Sequence, residues 1–285
     1  MKKLVVLIFC FFLVPCTIYA LPINDLYFSV GSDYDGDGDN VTGLFDQIRF
    51  YDESRSTYDI TDPEDLVVGV TFKDEGNALA SGLYKDKSYV PDSENMRENS
   101  NRVDGEWELT FVWELQGEVT ATMPRTVKGK YTSGTVWVYL DEDPNANFGG
   151  NRDDSIDDTG FDDGILVLEG QVVKGDGTFD DFSTTSNFNR SINLLLKITH
   201  VDTDHFGSES FDLGDLVELN WLVAIATEGN NGNSQLGTDD NGNVIAYGAG
   251  TGTLKFNAVP EPATILLLGG GLLAVAFVAR RNYSK

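Results

Sequence analysis

The chain has 285 residues, with 46 acidic side chains, 20 basic ones and a formal net charge of −26 at pH 7. A charge of this size and sign repels nucleic acid and anionic surfaces, so we expect no nucleic-acid partner. Both cysteines, Cys10 and Cys16, lie near the amino terminus. The rest of the chain therefore has neither a disulfide framework nor a cysteine nucleophile.

The first 20 residues have the three-part pattern of a secretory signal peptide. Two lysines precede an apolar run from residue 4 to residue 14, and Ala20 offers a small residue for cleavage. The run is shorter than the roughly 20 residues that a membrane-spanning helix needs. Cys16 would also suit a lipidated amino terminus, although Pro15 stands where a small residue is preferred. We predict a cleaved signal peptide at 1–20.

An early loop has aspartate at every second position and glycine at two of the positions between. It reads Asp33-Tyr34-Asp35-Gly36-Asp37-Gly38-Asp39-Asn40. Such spacing lets carboxylate oxygens converge on a hard cation, and glycine permits the sharp turn of a calcium loop. One twelve-residue frame uses Asp33, Asp35 and Asp37 but ends on Leu44, which cannot bind calcium. The other frame uses Asp35, Asp37 and Asp39 and ends on Asp46. The sequence predicts either a calcium site here or a solvated acidic turn.

Alternation with a period of two predicts β-strands throughout residues 21–258. In 107–115, large apolar side chains alternate with mostly polar ones, as in a strand with one buried face. Residues 135–140 alternate in a similar way. Further strands are predicted at 66–72, 165–168, 192–199, 216–226, 244–247 and 252–256. Clusters of Gly, Asn, Asp and Ser separate these segments, so we predict an acidic all-β extracellular domain, a β-sandwich or jelly roll, without a helix of convincing length.

A second acidic stretch runs from Asp141 to Asp163. Its first part has oxygen-bearing side chains at every second position, namely Asp141, Asp143, Asn145 and Asn147. Ala146 stands where a calcium loop would have glycine. A long solvated loop is the preferred interpretation, and a second calcium site is the alternative.

The carboxyl-terminal segment has three parts in a fixed order. They are the motif Pro260-Glu261-Pro262, an apolar run from 263 to 279, and the pair Arg280-Arg281. As a helix the run rises about 25 Å, near the lower limit for crossing a bilayer. Flanking arginines stay on the cytoplasmic side. We therefore predict a transmembrane helix that anchors the domain on the periplasmic side of the inner membrane.

This tail, residues 259–285, resembles the PEP-CTERM sorting signal of Gram-negative bacteria. The resemblance implies that an exosortase, a membrane cysteine protease, recognises the tail and cleaves the chain near the Pro260-Glu261-Pro262 motif. It also implies only transient anchorage in the inner membrane, followed by release to the cell surface or the medium among exopolysaccharide. The segments 138–141, 159–164 and 165–170 resemble a PEP-CTERM subgroup associated with flocculation, which would imply a role in holding cells together.

Three functions remain open at this stage. The leading interpretation is a non-enzymatic matrix protein that associates with exopolysaccharide in flocs or biofilm and is stiffened by calcium. The second is a carbohydrate-binding module, for which the aromatic candidates are Trp107, Trp113, Trp137 and Trp221. The third is a polysaccharide-cleaving enzyme with a carboxylate pair drawn from Glu106, Glu108 and Glu114. His200 and His205 do not have the spacing of a helical zinc site.

Overall fold

A computed structural model describes residues 23–34, 36–91, 96–97, 105–148, 159–180, 189–218, 220–229 and 234–256. The segment Pro22–Ala258 forms one compact unit with its own hydrophobic core, and we call it the body. The predicted signal peptide and the predicted sorting tail lie outside the described residues. Within the described ranges, no helix has the length and apolar character needed to cross a bilayer.

The described part of the body is made mostly of long antiparallel strands. In chain order these are β1 (Leu26–Phe28), β2 (Gln47–Tyr58), β3 (Thr71–Lys85), β4 (Ser88–Tyr89), β5 (Glu108–Met123), β6 (Thr126–Asp141), β7 (Ile165–Asp180), β8 (Asn189–Val201), β9 (Phe206–Ser208), β10 (Leu222–Gly229), β11 (Ser234–Thr238) and β12 (Val244–Phe256). The helical elements are a 3-10 turn, Pro63–Asp65, and α1, Leu213–Glu218. The all-β prediction is confirmed.

Eight of these strands close into a barrel. They follow one another around the ring in the order β2, β3, β5, β6, β7, β8, β10 and β12, and every neighbouring pair is antiparallel. Closure comes from β12, which pairs with β2 through Ile245–Lys255 and with β10 through Thr251–Phe256. The sandwich or jelly roll expected from the sequence is therefore not the architecture found. Apolar and polar residues alternate in the same way in a sandwich and in a barrel, because the alternation shows only that one face of each strand is buried.

The inward face of each strand fills the barrel with side chains. On β8, Ile192, Leu194, Leu196 and Ile198 are buried, whereas the intervening residues face outward. Full burial of such a side chain contributes about 1.5–3 kcal/mol. Trp113 lies flat against the backbone at Gly76, and a Cβ at that position would collide with the indole ring. Glycine at position 76 is therefore required by the packing of Trp113.

An aromatic cluster closes one end of the barrel. Phe206 lies at its centre, with ring centroids 4.8 Å from Phe28, 5.6 Å from Phe256 and 6.4 Å from Trp221. Strand β9 reaches this position by pairing with β1, which forms a small second sheet over the opening. The apolar interior is thus shielded from water at this end.

Two strand predictions were wrong in part. Residues 66–70 precede β3 and follow the 3-10 turn, so the strand predicted at 66–72 begins only at Thr71. Residues 216–218 belong to α1 and not to a strand. The carboxylate of Asp212 accepts hydrogen bonds from the backbone N–H groups of Gly214 and Asp215, which stabilises the first turn of this helix.

Candidate functional site

Both acidic loops lie at the end of the barrel that the aromatic cluster closes. The strand registers place the start of β2, the end of β6 and the start of β7 at this end. The Glu142 carboxylate rests against the backbone of Gly31, where a Cβ would collide with it. Loops separated by about a hundred residues in sequence therefore meet in space. We call this region the acidic end.

The early acidic loop is a turn held by its own carboxylates. Asp33 accepts backbone hydrogen bonds from Gly36 at 2.7 Å and from Gly38 at 3.1 Å. Asp37 accepts from the N–H of Asp39, and Asp39 accepts from that of Val41. Gly36 and Gly38 have φ angles of 83° and 110°, which favour glycine. The carboxylates of Asp33, Asp37 and Asp39 are exposed and have the oxygen chemistry that calcium prefers.

The structure places the remaining predicted calcium ligand elsewhere. Asp46 accepts a hydrogen bond from the backbone N–H of Asp86 at 3.1 Å, in the turn between β3 and β4. Asp35 lies outside the described residues. Among the residues that are described, no three acidic, histidine or cysteine side chains converge as a metal site.

The described parts of the β6–β7 loop, residues 142–148 and 159–164, pack against the outer face of the barrel. Ala146 and Phe161 pack on Leu79 in a small apolar cluster outside the barrel core. The Thr110 hydroxyl donates a hydrogen bond to the Phe161 carbonyl at 2.8 Å. The bridge between Asn147 and Thr159 holds the two arms of the loop together. The described parts of this loop are therefore fixed to the barrel by Ala146 and Phe161, whereas the acidic side chains of Glu142, Asp143, Asp162 and Asp163 are exposed.

A buried ion pair fixes this loop to β5. Glu108 has no exposed surface, and its carboxylate accepts from Arg97 at 2.7 Å and from the N–H groups of Asn145 and Ala146 at 2.9 and 2.7 Å. Burial raises the pKa of Glu108, although these donors oppose the shift. The sequence pattern placed Glu108 on a wet face beside Glu114, and that expectation was wrong because the loop covers it.

A second set of buried charges lies inside the barrel, where sequence reasoning expected none. Arg190 on β8 forms an ion pair with Asp52 on β2 and also donates to Ser54. Asp74 on β3 accepts hydrogen bonds from the Trp113 indole N–H at 2.8 Å and from Ser56 at 2.6 Å. One guanidinium therefore faces two carboxylates. Burial raises the pKa of both Asp52 and Asp74, although the positive charge of Arg190 opposes the shift.

The interior offers little room for a substrate. Asp52, Asp74 and Arg190 are at most 2% exposed. The adjoining cavity of about 20 Å³, lined by Trp113, Thr227 and apolar side chains, has space for about one water molecule. We interpret the interior charges as part of the core.

Lowering the pH towards the ordinary pKa of a carboxyl group is expected to increase the free energy of unfolding of the body. Asp52, Asp74 and Glu108 have raised pKa values in the folded state, so the folded chain binds protons more readily than the unfolded chain. Their contribution to stability is complete at low pH and is lost as the pH rises through the raised values. Denaturant titrations at several pH values measure how steeply the free energy of unfolding depends on pH. At high salt, where surface repulsion is screened, this dependence should be weaker in Asp74→Asn than in the wild type. An equal pH dependence in the two proteins would show that Asp74 does not contribute to it.

The remaining candidate residues divide between the core and the surface. Trp107, Trp113 and Trp221 are buried, whereas Trp137 is half-buried on the outer face of β6. His205 shares a hydrogen bond of 2.9 Å with Asp202, and His200 is exposed at the end of β8. The structure therefore leaves Trp137 as the tryptophan that a surface ligand could reach.

Comparison with known proteins identifies the carboxyl-terminal tail. Residues 258–281 match the family model of the PEP-CTERM protein-sorting motif. The tail therefore carries a PEP-CTERM protein-sorting motif, as the sequence predicted, and this motif supports an exported protein that is sorted through an exosortase. No curated protein and no solved structure gave a significant match. The motif was predicted from Pro260, Glu261, Pro262, Arg280 and Arg281, all of which lie outside the described residues.

Proposed function

We propose that the body is a non-catalytic matrix protein that an exosortase releases near Pro260. Before cleavage, the apolar run at 263–279 anchors the chain in the inner membrane, and Arg280 and Arg281 keep its end in the cytoplasm. The body then faces the periplasm. After cleavage it is held at the cell surface or among exopolysaccharide, in flocs or biofilm. The observation that carries this proposal is the sorting motif at 258–281.

The acidic body supports a role among charged polymers. Five of the 20 basic residues lie in the two terminal segments, so the body is left strongly acidic. Such a surface repels anionic polymers unless divalent cations bridge the charges. The flocculation-like segments 138–141, 159–164 and 165–170 fall at the end of β6, in the β6–β7 loop and at the start of β7. They therefore flank the acidic end.

Calcium binding by the early acidic loop is part of this proposal. Asp33, Asp35 and Asp37 would supply carboxylate oxygens, and water or carbonyl oxygens would complete the shell. We expect a dissociation constant of about 10⁻⁴–10⁻³ M, as in extracellular calcium modules. Calcium at about 100 times that constant should add about 2.7 kcal/mol to the free energy of unfolding.

Calorimetric titration of the body measures this binding directly. The Asp33→Asn variant should lose the heat that belongs to this loop. Asp176→Asn is a matched control, because Asp176 lies on β7 and bonds Asn193 at 3.3 Å, away from the acidic end. Equal heats in the wild type and in Asp33→Asn would overturn calcium binding by this loop.

A carbohydrate-binding module is the second candidate, and Trp137 is the observation that favours it. Its indole is half-buried on the outer face of β6, paired in register with Val112 on β5 and Glu169 on β7. Aromatic rings exposed in this way can stack on sugar rings, because an indole presents a broad apolar face.

Co-sedimentation with exopolysaccharide purified from the producing cells separates these functions. A matrix protein held by divalent bridges should co-sediment with calcium and separate when a chelator is added. A lectin should co-sediment without calcium, and Trp137→Ala should abolish its binding. Neither function releases reducing sugar, so reducing-sugar release would favour the enzyme instead. Failure to co-sediment under every condition would overturn retention by exopolysaccharide.

A further inference from the structure

The base of the β6–β7 loop brings together carboxylates from the two ends of that loop. Strand β6 ends at Asp141, and Leu140 pairs with Ile165 at the start of β7. Asp141 and Asp163 therefore flank the same point of the barrel rim. A Cβ placed on Gly164 would lie 3.0 Å from the Cβ of Asp141, so the backbone next to Asp163 packs directly on Asp141. The two carboxylates therefore start from neighbouring points of the barrel rim.

Asp141 has a carboxylate oxygen that no hydrogen bond satisfies. The residue is 9% exposed, and its Oδ1 accepts from the backbone N–H of Asp143 at 2.9 Å. Its Oδ2 is enclosed and finds no donor in the described part of the chain. An enclosed anionic oxygen without a partner destabilises the fold, because it has lost water and gained no donor. A ligand that carries positive charge would remove this cost.

The surroundings of Asp141 are suited to a hard cation. Asp163 uses one oxygen to accept from the Asn145 amide at 3.0 Å. Glu142 and Asp143 directly follow Asp141 in the sequence, and both are exposed. None of the ion pairs found between described residues includes any of these four acidic side chains. Within the described residues, negative charge is therefore concentrated here and no basic side chain forms an ion pair with it.

We propose that the base of the β6–β7 loop binds one divalent cation of the calcium class between the carboxylates of Asp141 and Asp163. Two protein carboxylates are fewer than calcium's six to eight oxygens, and water and backbone carbonyl oxygens complete the shell. The cation fastens the two ends of the loop to each other. It thereby reinforces the packing of Ala146 and Phe161 on the barrel wall.

This site is separate from the loop at Asp33, so one can fail without the other. It rests on the proposed function only in assuming that the body meets external calcium. Asp141→Asn is the decisive variant, because an asparagine Oδ1 can still accept the Asp143 N–H while the unsatisfied negative charge is removed. Asp163→Asn is a second variant at an exposed position that does not endanger folding.

The test combines calcium titration of the body with luminescence of Tb³⁺, a calcium substitute that nearby aromatic rings excite. Tyr139 lies two residues before Asp141 and provides such a ring. Wild type should bind an ion at this site, and both variants should weaken binding at least tenfold, whereas Asp33→Asn should leave it unchanged. In calcium-free buffer Asp141→Asn should have a higher Tm than wild type, because a buried charge has been removed. It should also lose the rise in Tm that calcium gives at this site.

Two results would overturn the site. One is an Asp141→Asn or Asp163→Asn variant that binds calcium and Tb³⁺ as the wild type does. The other is binding that disappears entirely in Asp33→Asn, since all of it would then belong to the early loop. A calcium-free Tm of Asp141→Asn below that of wild type would assign Asp141 a purely structural role.

Discussion

Replacement of Arg190 by methionine is expected to lower the free energy of unfolding of the body by about 3–5 kcal/mol. Methionine has a similar length but cannot balance charge, so Asp52 and Asp74 would remain inside the barrel without a cation. Removing one partner of a buried ion pair costs more than the pair itself contributes, because the other charge stays desolvated. Equilibrium denaturation in urea measures the change.

Two further variants identify the cause of this loss. Combining Arg190→Met with Asp52→Asn and Asp74→Asn should recover much of the lost stability, since no unbalanced charge then remains. Lys130→Met removes an ion pair with Glu118 whose side chains are 55% and 42% exposed, and it should change stability by about 0–1 kcal/mol. If the triple variant were as unstable as Arg190→Met, the loss would come from packing and not from charge.

Replacement of Phe206 by alanine is expected to cost about 3–5 kcal/mol, the range found for buried aromatic side chains. Its ring contacts those of Phe28, Trp221 and Phe256, so its removal leaves a cavity in the cluster that closes the acidic end. Thermal and chemical denaturation measure the loss. Tyr51→Ala is the control, because Tyr51 is 45% exposed on the outer face of β2 and should change stability much less. Equal losses in the two variants would show that the cluster adds no special stability.

Among the eight barrel strands, the sequence predicted those with a regular apolar inward face and missed β2 and most of β3, whose inward faces are partly polar. On β2, Asp52, Ser54 and Ser56 point into the barrel, so the segment lacks the apolar alternation that identifies a half-buried strand. A signal for the buried charges was nevertheless present. Arg190 continues the series of alternate buried positions that runs through Ile192 and Leu194, so it occupies an inward position of β8.

Closure of the barrel could not be predicted from alternation. It depends on β12 pairing with β2, a partner about 200 positions away, and local patterns contain no information on such pairing. The same reason explains why the strand predicted at 165–168 was too short, since β7 in fact continues to Asp180. Gly175 is typical of turns, but here it makes room for Leu194 and Tyr131 inside the barrel.

The candidate sites were predictable to different degrees. The alternating aspartates at 33–39 and the acidic stretch at 141–163 are visible as local patterns. Their meeting at one end of the barrel, through Glu142 and Gly31, follows only from the fold. The sorting motif needed no fold at all, because it is a short linear pattern that consists of Pro260-Glu261-Pro262, an apolar run and an arginine pair.

Cell fractionation with intact-mass measurement of the product tests the central claim most directly. We expect a protein recovered outside the inner membrane whose mass lacks the amino-terminal 20 residues and the segment that follows the cleavage near Pro260. Replacing Pro260-Glu261-Pro262 by three alanines should leave the longer, uncleaved form in the membrane. Recovery of the full-length chain from the cytosol, with both ends intact, would contradict the account.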